Sequence, residues 1–511
     1  MDASRALVGH VAVLLSSQVV TSLLGFLTVL LLPVYLGDVG LGRLAFAQSV
    51  CTVLGALTVA GTNLYIVREV AIDRRRSSEL LAAGLVLRAP LWAIFAFAVW
   101  AFLNFRGTSR DAMLVLGALL AVTLVNVLNG VFASALQGLE QMRWRSVAAV
   151  ASSVVVLVVG LPLLLWTRSP FWFCAALLAG ALVGLGINAA YFVGRGLTLA
   201  LPPRAAYRQL AIGAAPFLAL AVSQGFYSQI DTILTGLLTN EATVGWFAAA
   251  ARLGTAVLLV PVVMTSALFP VMSRLATTQP AAAFESMRRM LQTVLLMAMP
   301  LAAGLSAIGS PLFAFLHYPS SFSHSVPILI VLSASWILTA VVMVLGCAVI
   351  ASGRQRAWAV ASLGLLGLFG VLNLALIPLA QWLWANGGIG GALANFFGEL
   401  AFVIVALTLV PGRVFGWRDA GYAGRVILAS LLMVVVVLAS SGWWLPLSIA
   451  TGAVAYVLFS VALKTLTPAD AKLVLRLLRE SGSESVPEAP GQLASSGVKT
   501  TVMAPAEPIA S

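Results

Sequence analysis

The segment VSQGFYSQIDTILTGLLTNEATVGWFAAAARL, residues 222–253, carries one acid deep in an apolar run, Asp231, and one base deep in the next, Arg252. A second segment, SSQVVTSLLGFLTVLLLPVYLGDVGLGRLAFA, residues 16–47, follows the same plan. Ser17-Gln18 answers Ser223-Gln224 at an offset of 206, and Val39-Gly40 answers Val244-Gly245 at an offset of 205. Further on, QGLEQMRW (137–144) answers SGRQRAW (352–358). The chain therefore reads as a duplicated unit. Each copy opens a series of six apolar runs, and because six is even both copies enter the membrane from the same side. They form parallel repeats about an axis along the membrane normal, and such halves usually enclose a central site.

The runs number fourteen, at approximately 8–33, 43–66, 79–103, 111–135, 146–166, 171–193, 209–238, 244–270, 289–316, 326–351, 357–380, 391–411, 424–440 and 443–463. Each is long enough to cross a bilayer, which takes about 20 residues. Hydrophobic residues make up 61% of the chain and charged ones 9%, against roughly 25% charged in soluble domains. The predicted fold is an all-α polytopic membrane protein of about 14 transmembrane helices. Two pseudo-symmetric six-helix bundles, 1–200 and 201–412, surround a central cavity, with an extra helix pair at 413–463. The first run is too long for a cleavable signal peptide and lacks a small-residue cleavage site after it, so it is read as the first span.

The net charge of +12 reports topology. With the N-terminus inside, the inside segments hold 23 of the 29 Lys and Arg, among them Arg68, Arg74, Arg75, Arg76, Arg143, Arg145, Arg288 and Arg289. The outside loops and span ends hold Arg43, Arg106, Arg110 and Arg168, while Arg88 and Arg252 lie within spans. This is the positive-inside distribution, which places both termini in the cytoplasm. It excludes a nucleic-acid footprint as the source of the charge. Cys51, Cys174 and Cys347 sit apart within spans, and no Cys/His cluster or H-E-x-x-H occurs, so neither metal nor cofactor is expected. Gly180-x-x-x-Gly184 points to close helix packing. Trp443 and Trp444 fit an aromatic belt at a membrane interface.

After Lys464 the composition changes. TLTPADAKLVLRLLRE places Thr467 as an N-cap before Pro468 and sets Leu473, Val474, Leu477 and Leu478 on one stripe. It reads as an amphipathic interfacial helix, 464–480. Residues 481–511, rich in Ser, Pro, Glu, Gly and Ala, read as a disordered cytoplasmic tail.

Three stretches resemble the polysaccharide-repeat flippases of the Wzx type. They are PVYLGDVGLGRLAFAQSV with GTNLYIVREVAIDRRR, QLAIGAAPFLALAVSQGFYSQIDTILTGLLTN with ALFPVMSRL, and IASGRQRAWAVASLGLLGLFGVLNLALIPL with GGIGGALANFFGEL. The resemblance covers about residues 10–410 and implies the multidrug/oligosaccharidyl-lipid/polysaccharide exporter superfamily. It implies a flippase of the bacterial cytoplasmic membrane that moves undecaprenyl-pyrophosphate-linked oligosaccharide repeat units from inner to outer leaflet. The partners it implies are that polyprenyl-pyrophosphate-linked glycan, membrane lipids, a coupling ion (H+ or Na+) and polysaccharide polymerase machinery. Peptidoglycan-precursor flippases carry arginines in the first span, and this chain has no Lys or Arg between Arg5 and Arg43, which favours surface polysaccharide units. A cation-coupled multidrug exporter is the alternative in the same superfamily. A membrane-embedded polymerase or glycosyltransferase is the alternative of another class, disfavoured because Asp38, Asp111 and Glu241 in short outside loops lie far apart in sequence.

The residues that suit a hydrated, cationic cavity are few. Arg88 lies about 13 Å in from the cytoplasmic end of span three, a depth suited to first capture of a phosphate, or to snorkelling. Asp231 and Arg252 fall at similar depth on antiparallel spans, about 12–13 Å below the outer surface, and are expected to pair. Gln224, Ser228, Asp231 and Thr235 make one polar face on span seven. Gln18, Thr21, Gly25 and Thr28 echo it on span one, giving two walls of a cavity. Asp231 and Glu399 are the coupling or gating candidates. Arg43 reads as an interfacial anchor.

Overall fold

The computed structural model describes residues 2–59, 61–195, 203–410, 417–440 and 444–466. The expected interfacial helix from Thr467, the tail and Trp443 lie outside the described residues, as does the side chain of Gln18. Among the described residues the chain is helical throughout, with two short 3-10 turns and no strand. The first half comprises α1 (Asp2–Val59), α2 (Thr62–Ile72), α3 (Ser77–Phe105), α4 (Arg110–Gly138), α5 (Met142–Thr167) and α6 (Pro170–Val193). The second begins with α7 (Arg204–Tyr227), α8 (Ile230–Leu238), α9 (Glu241–Arg252) and α10 (Gly254–Thr278). It continues through α11 (Pro280–Phe315), α12 (Ser325–Ala351), α13 (Gln355–Trp384) and α14 (Gly387–Leu409). Two helices follow, α15 (Trp417–Ala439) and α16 (Leu445–Ala462).

Among the described residues eleven helices are long and apolar enough to cross a membrane, or up to twelve if a bent pair is one span. The number falls short of the fourteen apolar runs because several runs share or divide a helix. The 58 residues of α1 would measure ~87 Å as one rod, nearly three bilayer cores. The backbone departs from the helix at Gly37 (φ 65°, ψ −175°), where two helices meet, and only glycine adopts such a φ without strain. The first two runs lie on either side of that point. The seventh run is divided between α7 and α8 by a break at Ser228–Gln229, and the eighth is bent by 52° between α9 and α10. The second run also breaks, between α1 and α2, where Gly61 has φ 74°.

Helices α1 to α6 pack on one another as a first lobe, and α8 to α14 as a second. Helices α15 and α16 pair beside α11. They are fastened there by an Arg288–Asp419 ion pair and by the Tyr456 hydroxyl, which donates to the Leu296 carbonyl at 2.6 Å. Within the first lobe α6 lies close on α5: a Cβ at Gly180 would come 2.5 Å from Val156 and 2.8 Å from the Ser152 carbonyl. The small-residue motif there is a packing device, as its spacing suggests.

The lobes touch at both ends of the membrane-spanning region. At the Asp38 end α1 crosses α9 with backbone nearly on backbone. A Cβ on Gly42 would sit 1.7 Å from the Glu241 carbonyl oxygen, and one on Gly245 2.0 Å from that of Asp38. At the Arg76 end, α7 leans across onto the first lobe. Ala206, Leu210 and Ala214 are buried with Ile66, Val70 and Leu80, and Arg76 Nη2 donates to Gln209 Oε1 at 2.9 Å. Gly245→Val should therefore force α1 and α9 apart at a cost of about 1–3 kcal/mol, read as a lower melting temperature in detergent. Gly186→Ala, with nothing within 4 Å of its Cβ, should leave the transition unchanged or slightly raised.

Candidate functional site

The three broken spans converge on one place. Between the lobes lies a cavity of about 730 Å³ whose polar wall comes from Gln48 and Thr52 of α1, Asn63 of α2, Asn126 of α4 and Gln229 and Thr232 at the α7–α8 break. Irregular backbone at membrane depth is tolerated where it lines such a space, since water or cargo can then satisfy the freed groups. Arg252, the last residue of α9, also lines the cavity. Its Nη1 has no hydrogen-bond partner among the described residues, and no ion pair to it occurs among them. No acid stands among the described lining residues. The cavity is polar and carries an uncompensated guanidinium, an arrangement suited to an anion.

Arg88 is placed otherwise than expected. It is fully buried behind the cavity wall, and it neither opens into the cavity nor snorkels to an interface. Its Nε donates to Thr62 Oγ1 at 3.0 Å, its Nη1 to the Val127 carbonyl at 3.0 Å, and its Nη2 to Asn63 Oδ1 at 2.7 Å. Depth along a helix does not say which way a side chain turns. Here the break at Gly61 frees Thr62 and Asn63 to receive the guanidinium. Arg88 braces the first residues of α2, of which Asn63 lines the cavity.

Asp231 does not pair with Arg252. Asn373 Nδ2 donates to its Oδ1 at 2.8 Å and Asn395 Nδ2 to its Oδ2 at 2.9 Å. The expectation assumed two continuous antiparallel helices. The break at Ser228–Gln229 turns Asp231 back into the second lobe, toward α13 and α14, while Arg252 ends α9 at the inter-lobe cavity. The same break divides the expected polar face. Ser228 lines the central cavity, Gln224 lines a separate chamber within the second lobe, and Asp231 and Thr235 are buried. Nor do the described residues of span one supply the opposite wall. Thr28 is buried with its hydroxyl donated to the Leu24 carbonyl at 2.8 Å, and Thr21, partly buried, is not among the described lining residues. That wall comes from the next span, through Gln48, Thr52 and Asn63.

Glu399 is buried one helical turn beyond Asn395 on α14. Its Oε1 accepts from the Tyr227 hydroxyl and from Thr339 Oγ1 at 2.8 Å, while Oε2 has no partner among the described residues. Sequence reasoning missed Asn373, Asn395, Tyr227 and Thr339. The one signal available was the i, i+4 spacing of Asn395 and Glu399 in an otherwise apolar span.

Arg43 is an inter-lobe clasp rather than an anchor to lipid. Its Nε donates to Glu241 Oε2 at 2.6 Å and its Nη1 to Asp111 Oδ2 at 3.0 Å, while Ser109 Oγ donates to Glu241 Oε1 at 3.0 Å. Trp246 Nε1 adds a bond to Asp38 Oδ2 at 3.1 Å. The acids that lie far apart in sequence thus gather at one end, where Arg43 neutralises two of them.

Two helical lobes thus enclose a polar cavity lined by broken membrane-spanning helices. The sequence model of the polysaccharide biosynthesis protein family matches residues 7–276, and the chain belongs to that family. The structure is similar to the lipid II flippase MurJ in an inward closed conformation, with a TM-score of 0.71 at 15% identity over 88% of this chain and 97% of that one. It is similar also to an inward-facing multidrug resistance MATE family transporter of the MOP superfamily (TM-score 0.60, 17% identity, 75% and 94% covered). An outward-facing MATE transporter matches with a TM-score of 0.52 at 18% identity, covering 80% and 95%. No curated protein matches in sequence. These neighbours are flippases and transporters, not enzymes, and the likeness extends to the fold.

Two outcomes follow from the Asp231 geometry. Exchanging the charges, Asp231→Arg with Arg252→Asp, should not rescue folding or transport, as measured by monodisperse yield and by cargo transfer. Asn373→Leu should cost about 2–4 kcal/mol by leaving a buried carboxylate oxygen unpaired, with a smaller loss in the Asp231→Leu/Asn373→Leu double variant, both read as melting temperatures.

Proposed function

We propose that this protein is a flippase carrying undecaprenyl-pyrophosphate-linked oligosaccharide repeat units from the inner to the outer leaflet of a bacterial cytoplasmic membrane, for surface polysaccharide biosynthesis. The observation that carries the reading is the central cavity, whose described lining holds no acid and a single base, Arg252, with its Nη1 unpartnered among the described residues. The pyrophosphate would take charge-assisted bonds from Arg252 in the positive field of Arg88 behind Asn63. The glycan hydroxyls would meet the amides and hydroxyls of Gln48, Thr52, Asn126 and Gln229, and the polyprenyl tail would stay in lipid. Membership of the polysaccharide biosynthesis family supports this cargo class. So does the fold shared with a protein whose own cargo is lipid II.

Alternating access follows from the two inter-lobe contacts. By the distribution of basic residues, both termini and the Arg76 end face the cytoplasm, and the Asp38 end faces outward. Opening outward requires Arg43 to release Glu241, and opening inward requires α7 to leave α2 and α3. Asp231, held by two neutral amides, is the carboxylate at which H+ or Na+ coupling would act. The polysaccharide polymerase machinery would then take up the delivered unit.

Reconstituted vesicles loaded with a polyprenyl-pyrophosphate oligosaccharide test the reading, with transfer followed by a membrane-impermeant lectin. Arg252→Gln should lower transfer roughly tenfold or more at unchanged melting temperature, and Arg252→Lys should recover part of it. Transport of a cationic dye without glycan transfer would instead assign the chain to drug export. A second assay tests the clasp. In a variant whose native cysteines are replaced and which carries Thr232→Cys, Glu241→Gln should speed labelling by an impermeant external thiol reagent roughly fivefold. That factor corresponds to the ~1 kcal/mol of an exposed ion pair.

A further inference from the structure

We propose that the chamber inside the second lobe, separate from the central cavity, is a binding site for a monovalent organic cation with an aromatic, apolar body. The chamber measures about 690 Å³ and is walled by α7, α10, α12, α13 and α14, a size within the usual range of small-molecule sites. It shares no described lining residue with the central cavity. The division falls at the α7–α8 break, where Tyr227 lines the chamber and the next residue, Ser228, lines the central cavity.

The chemistry of the two spaces is opposite. Among the described residues that line the chamber Glu399 alone is charged, just as Arg252 alone is charged in the central cavity. Glu399 is 2% exposed, and its Oε2 has no protein partner among the described residues. Tyr227 and Thr339 hold Oε1 and so fix the carboxyl group in place, leaving the second oxygen to a guest. A buried carboxylate is costly without a countercharge, so a cation entering the chamber gains what Glu399 lacks.

The walls favour an organic cation over an inorganic one. Tyr227, Phe402 and Trp358 form a continuous aromatic cluster beside the carboxylate, with ring centroids 5.5 Å and 5.9 Å apart. Ring faces attract cations and bury apolar bodies. A hard metal ion instead asks for several oxygen ligands at once, and no group of three or more His, Cys, Asp or Glu occurs among the described residues. Met343 and Leu366 complete an adaptable apolar lining. A cation here would also touch Tyr227, the residue that ends α7 at the wall of the central cavity, so its binding would be felt at the cargo site.

The full-length protein in lipid nanodiscs, dialysed against radiolabelled tetraphenylphosphonium, tests the site without recourse to transport. Saturable binding is expected, weakened roughly tenfold or more by Glu399→Gln, which keeps a carbonyl to accept from Tyr227 and Thr339. Ala359→Trp, which adds bulk to the chamber wall on α13 while leaving the Glu399 residue itself unchanged, should abolish binding and serves if Glu399→Gln folds poorly. Arg252→Gln, which disables the proposed cargo site, should leave binding unchanged, so the two readings stand or fall separately. Absence of binding to folded wild-type protein would overturn the proposal, as would affinity unchanged in both chamber variants. Full displacement by sodium, with choline of equal ionic strength without effect, would also overturn it by showing an inorganic cation site.

Discussion

A charged side chain inside a bilayer must be matched, and the way this chain matches four of them sets the arrangement of everything else. Arg88 is satisfied by a hydroxyl, a carbonyl and an amide, and Asp231 by two amides. Neither uses an opposite charge. Matching by neutral dipoles keeps the formal charge in place and spreads its field, whereas an ion pair would cancel it. The other two, Arg252 and Glu399, each keep one atom without a partner among the described residues, and each lines a cavity. The molecule thus separates charges satisfied by neutral groups from charges that line a cavity.

The broken spans make that separation possible. A continuous helix satisfies its own backbone and gives its side chains one fixed angular order. Breaking spans at Gly61, at Ser228–Gln229 and beyond Arg252 resets the order partway through the membrane. Residues one position apart can then face different compartments, as Tyr227 and Ser228 do. The freed backbone groups are supportable because they sit beside a cavity rather than against lipid. The glycines at Gly42 and Gly245 act in the other direction, closing the lobes at one end to a distance that no larger residue allows.

The inter-lobe contacts differ in kind at the two ends. Arg43, Asp111 and Glu241 form a partly exposed charged cluster, of a sort that contributes about 0–1 kcal/mol per pair and is screened by salt. The contact of α7 with α2 and α3 is chiefly apolar. A charged cluster at a wet interface breaks and re-forms more readily than a buried apolar contact.

Much of this was present in the residues themselves. The excess of apolar residues, the spacing of the runs and the placement of arginines determined a helical membrane protein, because a bilayer admits few alternatives and period and length state which one. The diffuse family signature pointed to the polysaccharide biosynthesis family. Arg252 and Glu399 could be picked out as costly charges in apolar runs. Tertiary structure alone decided what each of those charges faces. The pairing of Asp231 with Asn373 and Asn395, the burial of Arg88 and the clasp at Arg43 join residues from 25 to 198 positions apart. Local periodicity carries no information about such partners once a span is broken, because the turn of the second half-helix is set by what packs against it.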